Sequence, residues 1–364
     1  MKRTFILLFC AALLCSAPAE ARQRAPKSEK VRNVILMIGD GMGLGQTAAL
    51  MIENGYEPTA FDRADATAIC KTYSDNNRVT DSGASATAMA TGYKTANSRI
   101  GVLPDGTAVA NLTELAKAKG LATGIVVTSH LADATPAGFV AHVSDRHDSG
   151  RIAEMFAEAD IDVLAGGGRQ FFTECENGRD LLQEMQQKGY VYAPTVEDFY
   201  AADRMPVVGL FAPKYMKPAS RRGDYLARAT EHALNLLAGN KKGFFAMIEG
   251  SQIDGACHGN NLGEMMAEMH DFEQAVGRAF DFADTHAGTL VLVVGDHETG
   301  GLTVISNNRD FTASESGIAY NYSTTSHSGT PVVLYAYGAG AGNFTGVMEN
   351  TDIFNLIKAL LIGR

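Results

Sequence analysis

Three short apolar runs in the chain each end at side chains that bind metal ions. The side chains that follow the runs are Asp40 after residues 34–38, Glu249 after residues 244–248, and Asp296 with His297 after residues 290–294. Apolar runs of this length before a glycine or an acid are typical of buried parallel strands. Active sites of open α/β sheets lie beyond the carboxyl ends of such strands, so these side chains should meet at one sheet edge. Several carboxylates close together are costly without a cation, and the sequence therefore predicts a metal centre.

Two further segments add candidate metal ligands. Asp254 and His258 are four residues apart, so one helical turn would place both on one face. His327 lies in a polar stretch just before the apolar run that begins at residue 331. A single histidine is more often a surface or hydrogen-bonded residue than a ligand. Three histidines and three aspartates at strand ends, taken together, favour zinc.

Ser82 is the candidate nucleophile. It opens a segment of small residues, 82–91, that predicts a helix ending near Gly92. A helix N-terminus stabilises anions, and a serine there beside a metal could attack phosphorus or carbon. The alternative is a helix-capping serine, which the segment alone would favour. The neighbouring metal ligands favour the nucleophile.

A fourth group of residues suits a phosphate and a hard cation. Thr135 and Glu249 offer oxygen donors of the kind that magnesium prefers. Arg146 could hold two oxygens of a phosphate or sulfate, although the residue taken alone would favour a surface salt bridge. Asp133 lies two residues before Thr135 and belongs to the same segment.

The elements that must position these residues alternate between strand and helix patterns. Strands are predicted at 33–38, 121–128, 162–165, 190–193, 206–211, 243–249, 289–294, 301–305 and 331–337. Helices are predicted at 43–53, 82–91, 109–119, 150–158, 178–188, 224–238, 261–286 and 351–361. This alternation predicts an α/β fold with a large, mostly parallel central sheet and helices on both faces. Residues 166–222 are predicted to be an elaborated, cap-like region, and residues 306–328 a long loop.

The termini and the composition limit the function classes. Residues 1–21 have the charged start, apolar middle and small-residue cleavage site of a signal peptide, so we expect an exported protein, periplasmic or secreted, with one catalytic domain over 22–364. No later apolar run is long enough to span a membrane. The net charge of −10 and the dispersed basic residues argue against nucleic acid as a partner.

Three cysteines remain after the predicted cleavage. Their number allows at most one internal disulfide, for which Cys70 and Cys175 are the better candidates. Cys257 lies beside His258 and could bind zinc as a thiolate, although a small buried thiol is the more frequent role for such a residue.

The chain resembles the alkaline phosphatases over residues 33 to 361. The resemblance is carried by VTDSGASATAMATG, DATPAGFVAHVSDR, EGSQIDGACH, VVGDHETGG and the SHSGTPV loop, which occur in the family's order. It implies a phosphomonoesterase in which Ser82 forms a covalent phosphoserine and Arg146 holds the phosphate oxygens. The implied ligands are Asp40, Asp296 and His297 for one zinc, Asp254, His258 and His327 for a second zinc, and Asp40, Thr135 and Glu249 for a magnesium.

The resemblance also assigns a task to each cation. The first zinc would activate Ser82, and the second would stabilise the leaving alkoxide and then generate the hydroxide that cleaves the phosphoserine. Asp133 would order the water shell of the magnesium. Two cations about 4 Å apart neutralise the entering and leaving oxygens of an in-line transfer, which agrees with this assignment.

The chain departs from larger members of that family in two places. Gly255 follows Asp254, where some members have Lys, His or Trp, so phosphate contacts there should be weaker or mediated by water. Only 30 positions separate His297 from His327, where larger members insert a crown-like subdomain. The resemblance therefore leaves the oligomeric state open, a homodimer included.

Two alternatives are weighed against the phosphomonoesterase. Related metalloenzymes such as sulfatases and nucleotide phosphodiesterases share the sheet, but sulfatases use a C/S-x-P-x-R setting that Ser82 lacks. Phosphodiesterases usually lack the magnesium ligands and the arginine clamp. A non-catalytic phosphate-binding protein would need neither a nucleophile nor two leaving-group cations.

Overall fold

A ten-stranded sheet runs through the protein, of which the computed structural model describes residues 30–308 and 316–363. The strands among these residues are β1 (Asn33–Gly39), β2 (Ala66–Lys71), β3 (Ala122–His130), β4 (Val163–Gly167), β5 (Val191–Ala193), β6 (Val207–Leu210), β7 (Phe244–Gly250), β8 (Thr289–Gly295), β9 (Glu298–Thr299), β10 (Leu302–Val304), β11 (Tyr320–Tyr322), β12 (His327–Ser328), β13 (Val332–Gly338) and β14 (Gly346–Glu349).

Helices connect most of these strands. They are α1 (Leu44–Glu53), α2 (Ser82–Thr91), α3 (Leu112–Ala118), α4 (Ala134–Ala137), α5 (Ser149–Glu158), α6 (Arg169–Thr173), α7 (Leu181–Gln187), α8 (Val196–Ala201), α9 (Ala219–Arg222), α10 (Tyr225–Leu237), α11 (Gln252–His258), α12 (Leu262–Thr285) and α13 (Asn350–Ile357). Helix α13 continues into a π-helical turn at Lys358–Ile362.

The strand order of the sheet is β14-β2-β13-β8-β1-β7-β3-β4-β6-β5. Strand β13 runs antiparallel to both of its neighbours, and the other pairs are parallel. Two small antiparallel pairs, β10 with β11 and β12 with β9, lie outside the sheet. The predicted α/β class and mostly parallel sheet are confirmed.

Strand β1 shows how the sheet separates two layers of core. Val34, Leu36 and Ile38 belong to one cluster of buried side chains, which includes residues of α2, α3, α5 and α13. Ile35 and Met37 point to the opposite face and join a second cluster with α10 and α12. Both faces of the strand are therefore buried, which explains why its sequence is continuously apolar rather than alternating.

Each of the predicted strands and helices coincides with an observed one, but several elements were missed. Strands β2 and β14 were not predicted, and neither were the short helices α4, α6, α8, α9 and α11. The prediction of one long loop over 306–328 was wrong, because β11 and β12 fall within it and His327 is in β12. Residues 309–315 of that stretch lie outside the described residues.

The predicted disulfide between Cys70 and Cys175 is wrong, since both are free thiols. Cys70 is in β2, and Cys175 follows α6, which comes directly after β4. In the strand order, β2 and β4 are six strand spacings apart, at about 4.8 Å each. A disulfide needs Cα atoms within about 7 Å, so the topology separates these two thiols too far.

Two predictions about the ends of the chain and its subdivision remain open. The predicted signal peptide, residues 1–21, lies outside the described residues. Within the predicted cap-like region, 166–222, strands β6 and β5 form one edge of the central sheet. Helices α7 and α8 pack against these strands, and α9 packs against α12. The role of this region as a cap stays a prediction. Among the residues that the structure describes, no helix has the length and apolar character to cross a membrane.

A buried ion-pair triad fastens the α9 segment to α12. The Arg222 side chain, only 2% exposed, lies 2.5 Å from Glu268 Oε2 and 2.6 Å from Asp271 Oδ2. Replacing Arg222 with alanine would leave two buried carboxylates without a counter-charge, and we expect the free energy of unfolding to fall by about 3–5 kcal/mol. Denaturant titration measures this change.

The surface pair between Arg228 and Asp224 provides the matched control for that substitution. The two side chains are more than half exposed and 3.8 Å apart. We expect Arg228→Ala to change stability by less than about 1 kcal/mol, because exposed ion pairs are worth little. Equal losses in Arg222→Ala and Arg228→Ala would contradict the role given to the triad.

Candidate active site

Four adjacent strands deliver the predicted metal ligands to one edge of the sheet. Strands β8, β1, β7 and β3 are neighbours and run parallel, so their carboxyl ends lie side by side. Gly39 at the end of β1 is in register with Gly250 of β7 and Gly295 of β8. Asp40, Glu249 and Asp296 are each within one residue of this line. The apolar runs predicted that these segments meet, and the register of the three strands brings them together.

Gly41 allows the chain to turn tightly after Asp40. Its φ is +76°, a left-handed value that side chains other than glycine rarely adopt. A Cβ atom at this position would lie 2.8 Å from Cα of Asp254 and 3.0 Å from Oγ1 of Thr299. The glycine therefore lets the loop after β1 pack against the segments that carry the other candidate ligands.

One group of candidate ligands surrounds Nε2 of His297. This atom lies 3.2 Å from Asp296 Oδ2, 3.5 Å from Asp40 Oδ1 and 3.3 Å from Ser82 Oγ. His297 and Asp296 are fully buried, and Ser82 is nearly so. Ser82 is the first residue of α2, and Asp81 caps the helix by accepting a hydrogen bond from the Ala84 amide. The predicted nucleophile thus stands at a helix N-terminus beside a candidate metal group.

A second group forms around Asp254, at the start of α11. Its Oδ2 lies 3.2 Å from Nε2 of His258, and its Oδ1 lies 3.5 Å from Nε2 of His327. Helix α11 puts Asp254 and His258 one turn apart, as their spacing predicted. His327 reaches them from β12, whose pairing with β9 places it opposite Thr299.

The predicted magnesium ligands lie next to the first group. Thr135, buried in the short helix α4, has its Oγ1 3.5 Å from Asp40 Oδ2. Glu249, near the end of β7, is also buried. Asp133 caps α4 through a 2.9 Å hydrogen bond from the Ala134 amide. Hard oxygen donors from three segments therefore converge near Asp40.

Arg146 is held by two carboxylates. Its Nη1 donates to Asp81 Oδ2 over 3.1 Å, and its Nη2 lies 3.9 Å from Asp133 Oδ1. Burial acts to lower the pKa of Arg146, but the charges of Asp81 and Asp133 outweigh it and the pKa is raised. The guanidinium is therefore a fixed positive charge beside the helix that carries Ser82.

The electrostatics of the buried carboxylates show a site with an excess of negative charge. Burial raises the pKa of Asp40 well above its ordinary value, and the charges of Asp296 and Asp254 add to the effect. Burial raises the pKa of Asp296 to about 7, although the Gly41 amide opposes the shift. Burial and then the charge of Asp133 raise the pKa of Glu249. A cation bound among these carboxylates would favour their ionised forms.

The imidazoles respond in opposite directions. Burial keeps the pKa of His297 well below its ordinary value. The hydrogen bond with Asp254 raises the pKa of His258 to about 9. Burial acts to raise the pKa of Asp254, but the hydrogen bond with His258 and the charges of His297 and His327 lower it well below its ordinary range.

The side chains present fit divalent cations. Asp40 Oδ1, Glu249 Oε2 and Asp296 Oδ2 are buried and have no hydrogen-bond partner among the described residues. Ligand atoms of Asp254, His258 and His327 lie within 4.8 Å of one another, as do those of Asp40, Asp254 and His297. Imidazole and carboxylate donors at this spacing suit zinc, and the oxygen donors near Thr135 suit magnesium.

Each imidazole of the site is oriented by a partner on its other nitrogen. The Nδ1 atoms of His258 and His327 lie 2.7 Å and 2.8 Å from the carbonyl oxygens of Thr325 and Thr80. A carbonyl only accepts, so Nδ1 donates in both cases and Nε2 is left to bind a cation when the ring is neutral. Nothing in the sequence pattern identified these carbonyls, because they are backbone groups of distant segments.

Two side chains of the site were overlooked in the sequence. Asp81 lies in the quoted serine motif, yet its pairing with Arg146 depends on a contact across 65 positions. Thr299 lies two residues after His297, and no periodicity distinguishes it. Cys257 takes the more frequent role of a buried thiol: burial raises its pKa to about 12, and Gln46 Nε2 lies 3.4 Å from its sulfur.

The site combines a mostly parallel α/β sheet, a serine at a helix N-terminus, and clustered carboxylates and imidazoles. This combination is typical of metal-dependent hydrolases that act on phosphate esters. The family model described as alkaline phosphatase matches residues 31–316. The chain belongs to the alkaline phosphatase family and is a phosphatase.

Relatives match nearly the whole chain. Alkaline phosphatase 4 of Bacillus subtilis is 33% identical, over 97% of this chain and 94% of its own length. The alkaline phosphatase of Escherichia coli is 33% identical, over 91% of this chain and 86% of its own. The structure of a mutant of TAB5 alkaline phosphatase with Mg bound in the M3 site superimposes with a TM-score of 0.84, at 36% identity, covering 91% of this chain and 98% of that one.

Proposed function

We propose that the protein hydrolyses phosphate monoesters at alkaline pH through a covalent phosphoserine at Ser82. The observation that carries the proposal is the position of Ser82 Oγ, 3.3 Å from His297 Nε2 at the N-terminus of α2. On one side of this serine lie candidate metal ligands, and on the other side lie the free amides of the helix N-terminus. A bound cation and the amides would both stabilise a negatively charged serine oxygen. Membership of the alkaline phosphatase family supports the pH range.

Three cations would complete the site. Asp40, Asp296 and His297 would hold one zinc, Asp254, His258 and His327 a second zinc, and Asp40, Thr135 and Glu249 a magnesium. When bound, the cations would neutralise the charge that develops on the entering and leaving oxygens. The relative with Mg in its M3 site supports a magnesium position, and Asp133 would order the water around it.

Ser82 would carry the covalent chemistry. Its Oγ attacks phosphorus and loses its proton to solvent, the P–O bond to the leaving group breaks, and the alkoxide takes up a proton and departs as the alcohol, so that the phosphoryl group is bonded to Ser82. Water then attacks the same phosphorus and loses a proton, the bond to Oγ breaks, and Oγ takes up a proton as phosphate is released. One side chain thereby divides the hydrolysis into two displacements.

Arg146 would orient the phosphoryl group during both displacements. Its two ion pairs, to Asp81 and Asp133, fix the plane of the guanidinium. A planar fork of N–H donors fits two non-bridging oxygens of a dianion better than those of a diester, which has one charge fewer. The site should therefore prefer monoesters, with diester hydrolysis as a weaker side activity.

Export through the predicted signal peptide is part of the same proposal. A periplasmic or secreted enzyme would meet phosphate monoesters outside the cytoplasm, with no nucleic acid as partner. A homodimer is compatible with this proposal.

The paired comparison of p-nitrophenyl phosphate with its bis-ester tests the substrate class. We expect the purified mature chain to hydrolyse the monoester far faster at alkaline pH, and elemental analysis to give about two zinc and one magnesium per chain. Preference for the bis-ester, or a chain without magnesium, would contradict the roles of Arg146 and Glu249. That result would favour the phosphodiesterase alternative.

A further inference from the structure

Thr299 contacts every segment that contributes a candidate zinc ligand. It is fully buried in the two-residue strand β9, directly after the Asp296–His297 pair. Its backbone N–H donates to the Gly41 carbonyl over 3.3 Å, next to Asp40. Its register partner in β12 is His327. No role in metal binding was predicted for this threonine.

The hydroxyl of Thr299 lies between the two ligand groups. Oγ1 donates to Asp254 Oδ1 over 2.6 Å and lies 3.1 Å from His297 Nδ1. A hydroxyl has a single proton, and an ionised carboxylate can only accept. Since the proton is directed to Asp254, the contact with His297 is a hydrogen bond only if Nδ1 carries a hydrogen and donates. The hydroxyl thus determines which nitrogen of His297 is free.

We infer that Thr299 is a positioning residue that couples the two zinc groups, by orienting the Asp254 carboxylate and holding His297 in the tautomer whose Nε2 binds a cation. The inference rests on the proposed function, because it needs these side chains to be ligands. It differs from a packing role in that the hydroxyl, rather than the methyl group, is required. Partners of this kind typically change metal affinity by about ten- to a hundredfold when removed.

Zinc affinity of the full chain tests the inference. Wild type, Thr299→Val, Thr299→Ser and Thr303→Val are freed of metal and titrated with Zn²⁺ against a competing chelator. Valine keeps the branched shape and removes the hydroxyl, and serine keeps the hydroxyl and removes the methyl group. We expect Thr299→Val to bind zinc about ten- to a hundredfold more weakly and Thr299→Ser to stay close to wild type.

Thr303 of β10 is the matched control. It is an exposed strand threonine whose hydroxyl donates to the Asn321 carbonyl over 3.4 Å, so Thr303→Val should bind zinc as wild type does. Equal affinity of Thr299→Val and wild type overturns the inference and leaves the proposed function standing. A Thr299→Ser variant as weak as Thr299→Val also overturns it, since packing would then be the cause. A wild-type chain that binds no zinc overturns the proposed function and the inference together.

A second measurement uses the unmodified chain and does not depend on how the variants fold. In zinc-loaded wild type labelled with ¹⁵N-histidine, the inferred tautomer has a hydrogen on Nδ1 of His297, the atom 3.1 Å from Thr299 Oγ1. We expect the ¹⁵N spectrum to show Nδ1 protonated. An unprotonated Nδ1 would overturn the inference, because Thr299 could not then accept a hydrogen bond from it.

Discussion

Ser82→Ala is expected to lower the turnover of p-nitrophenyl phosphate by about three or more orders of magnitude. The alanine lacks the oxygen that would form the phosphoserine, which in the wild type lies 3.3 Å from His297 Nε2. The helix should persist, because Asp81, which caps it, and the small residues of α2 are unchanged. Steady-state kinetics at alkaline pH, with metal content measured on the same sample, gives the result.

The control for Ser82→Ala comes from the other end of the same helix. Thr91 is buried and donates its hydroxyl to the Thr87 carbonyl, far from the ligand groups. We expect Thr91→Ala to keep turnover close to wild type, with a small loss of stability. If Ser82→Ala kept near-normal turnover, Ser82 would not be the nucleophile. A pure phosphate-binding protein, the non-catalytic alternative, would bind phosphate equally well with or without Ser82.

Asp254→Ala is expected to have the largest effect on metal content. Asp254 is the one residue that belongs to both groups of ligand atoms found among the described residues. Its carboxylate faces both His258 and His327 and accepts from Thr299. Removing the carboxylate takes an oxygen donor from the group that contains His258 and His327. It also removes the acceptor of the Thr299 hydroxyl, which contacts the imidazole of His297 in the other group. Bound zinc should fall from about two per chain to fewer than one, as measured by elemental analysis after dialysis.

Two variants that each remove a ligand from only one candidate zinc group show whether Asp254 affects both groups. His258→Ala and Asp296→Ala each remove one proposed ligand from one group, so each should reduce zinc by about one per chain. Far-UV circular dichroism on all three variants separates metal loss from unfolding. Unchanged zinc in Asp254→Ala, or a loss no greater than in His258→Ala, would contradict the shared role.

The strands of this fold could be predicted where both faces are buried. Every residue of β7 and β8 is buried, and both read as continuous apolar runs. Strand β2 was missed because its small and polar residues alternate between buried and exposed, and β14 because only four residues form it. Local sequence patterns do not give the order of strands in a sheet. The sequence therefore could not show that Cys70 and Cys175 lie far apart, and their pairing was predicted.

The site was predictable to the extent that its candidate ligands follow strands or share a helical turn. Asp40, Glu249 and Asp296 were found from the ends of apolar runs, and Asp254 with His258 from their spacing. Ser82 was found as a candidate nucleophile from its place at a predicted helix start beside the candidate ligands. The resemblance to a family added the covalent phosphoserine and favoured the phosphate role of Arg146 over a surface salt bridge. Asp81 and Thr299 escaped because their importance lies in hydrogen bonds between segments that the sequence separates.

The phosphoryl group on Ser82 is the central claim, and it can be observed directly. The enzyme is mixed with p-nitrophenyl phosphate, quenched in acid and digested, and the peptide containing residues 80–88 is analysed by mass spectrometry. The account predicts a phosphate on Ser82 that is present during turnover and absent from Ser82→Ala. Full turnover with this peptide unmodified, or with phosphate on another residue, would contradict the account.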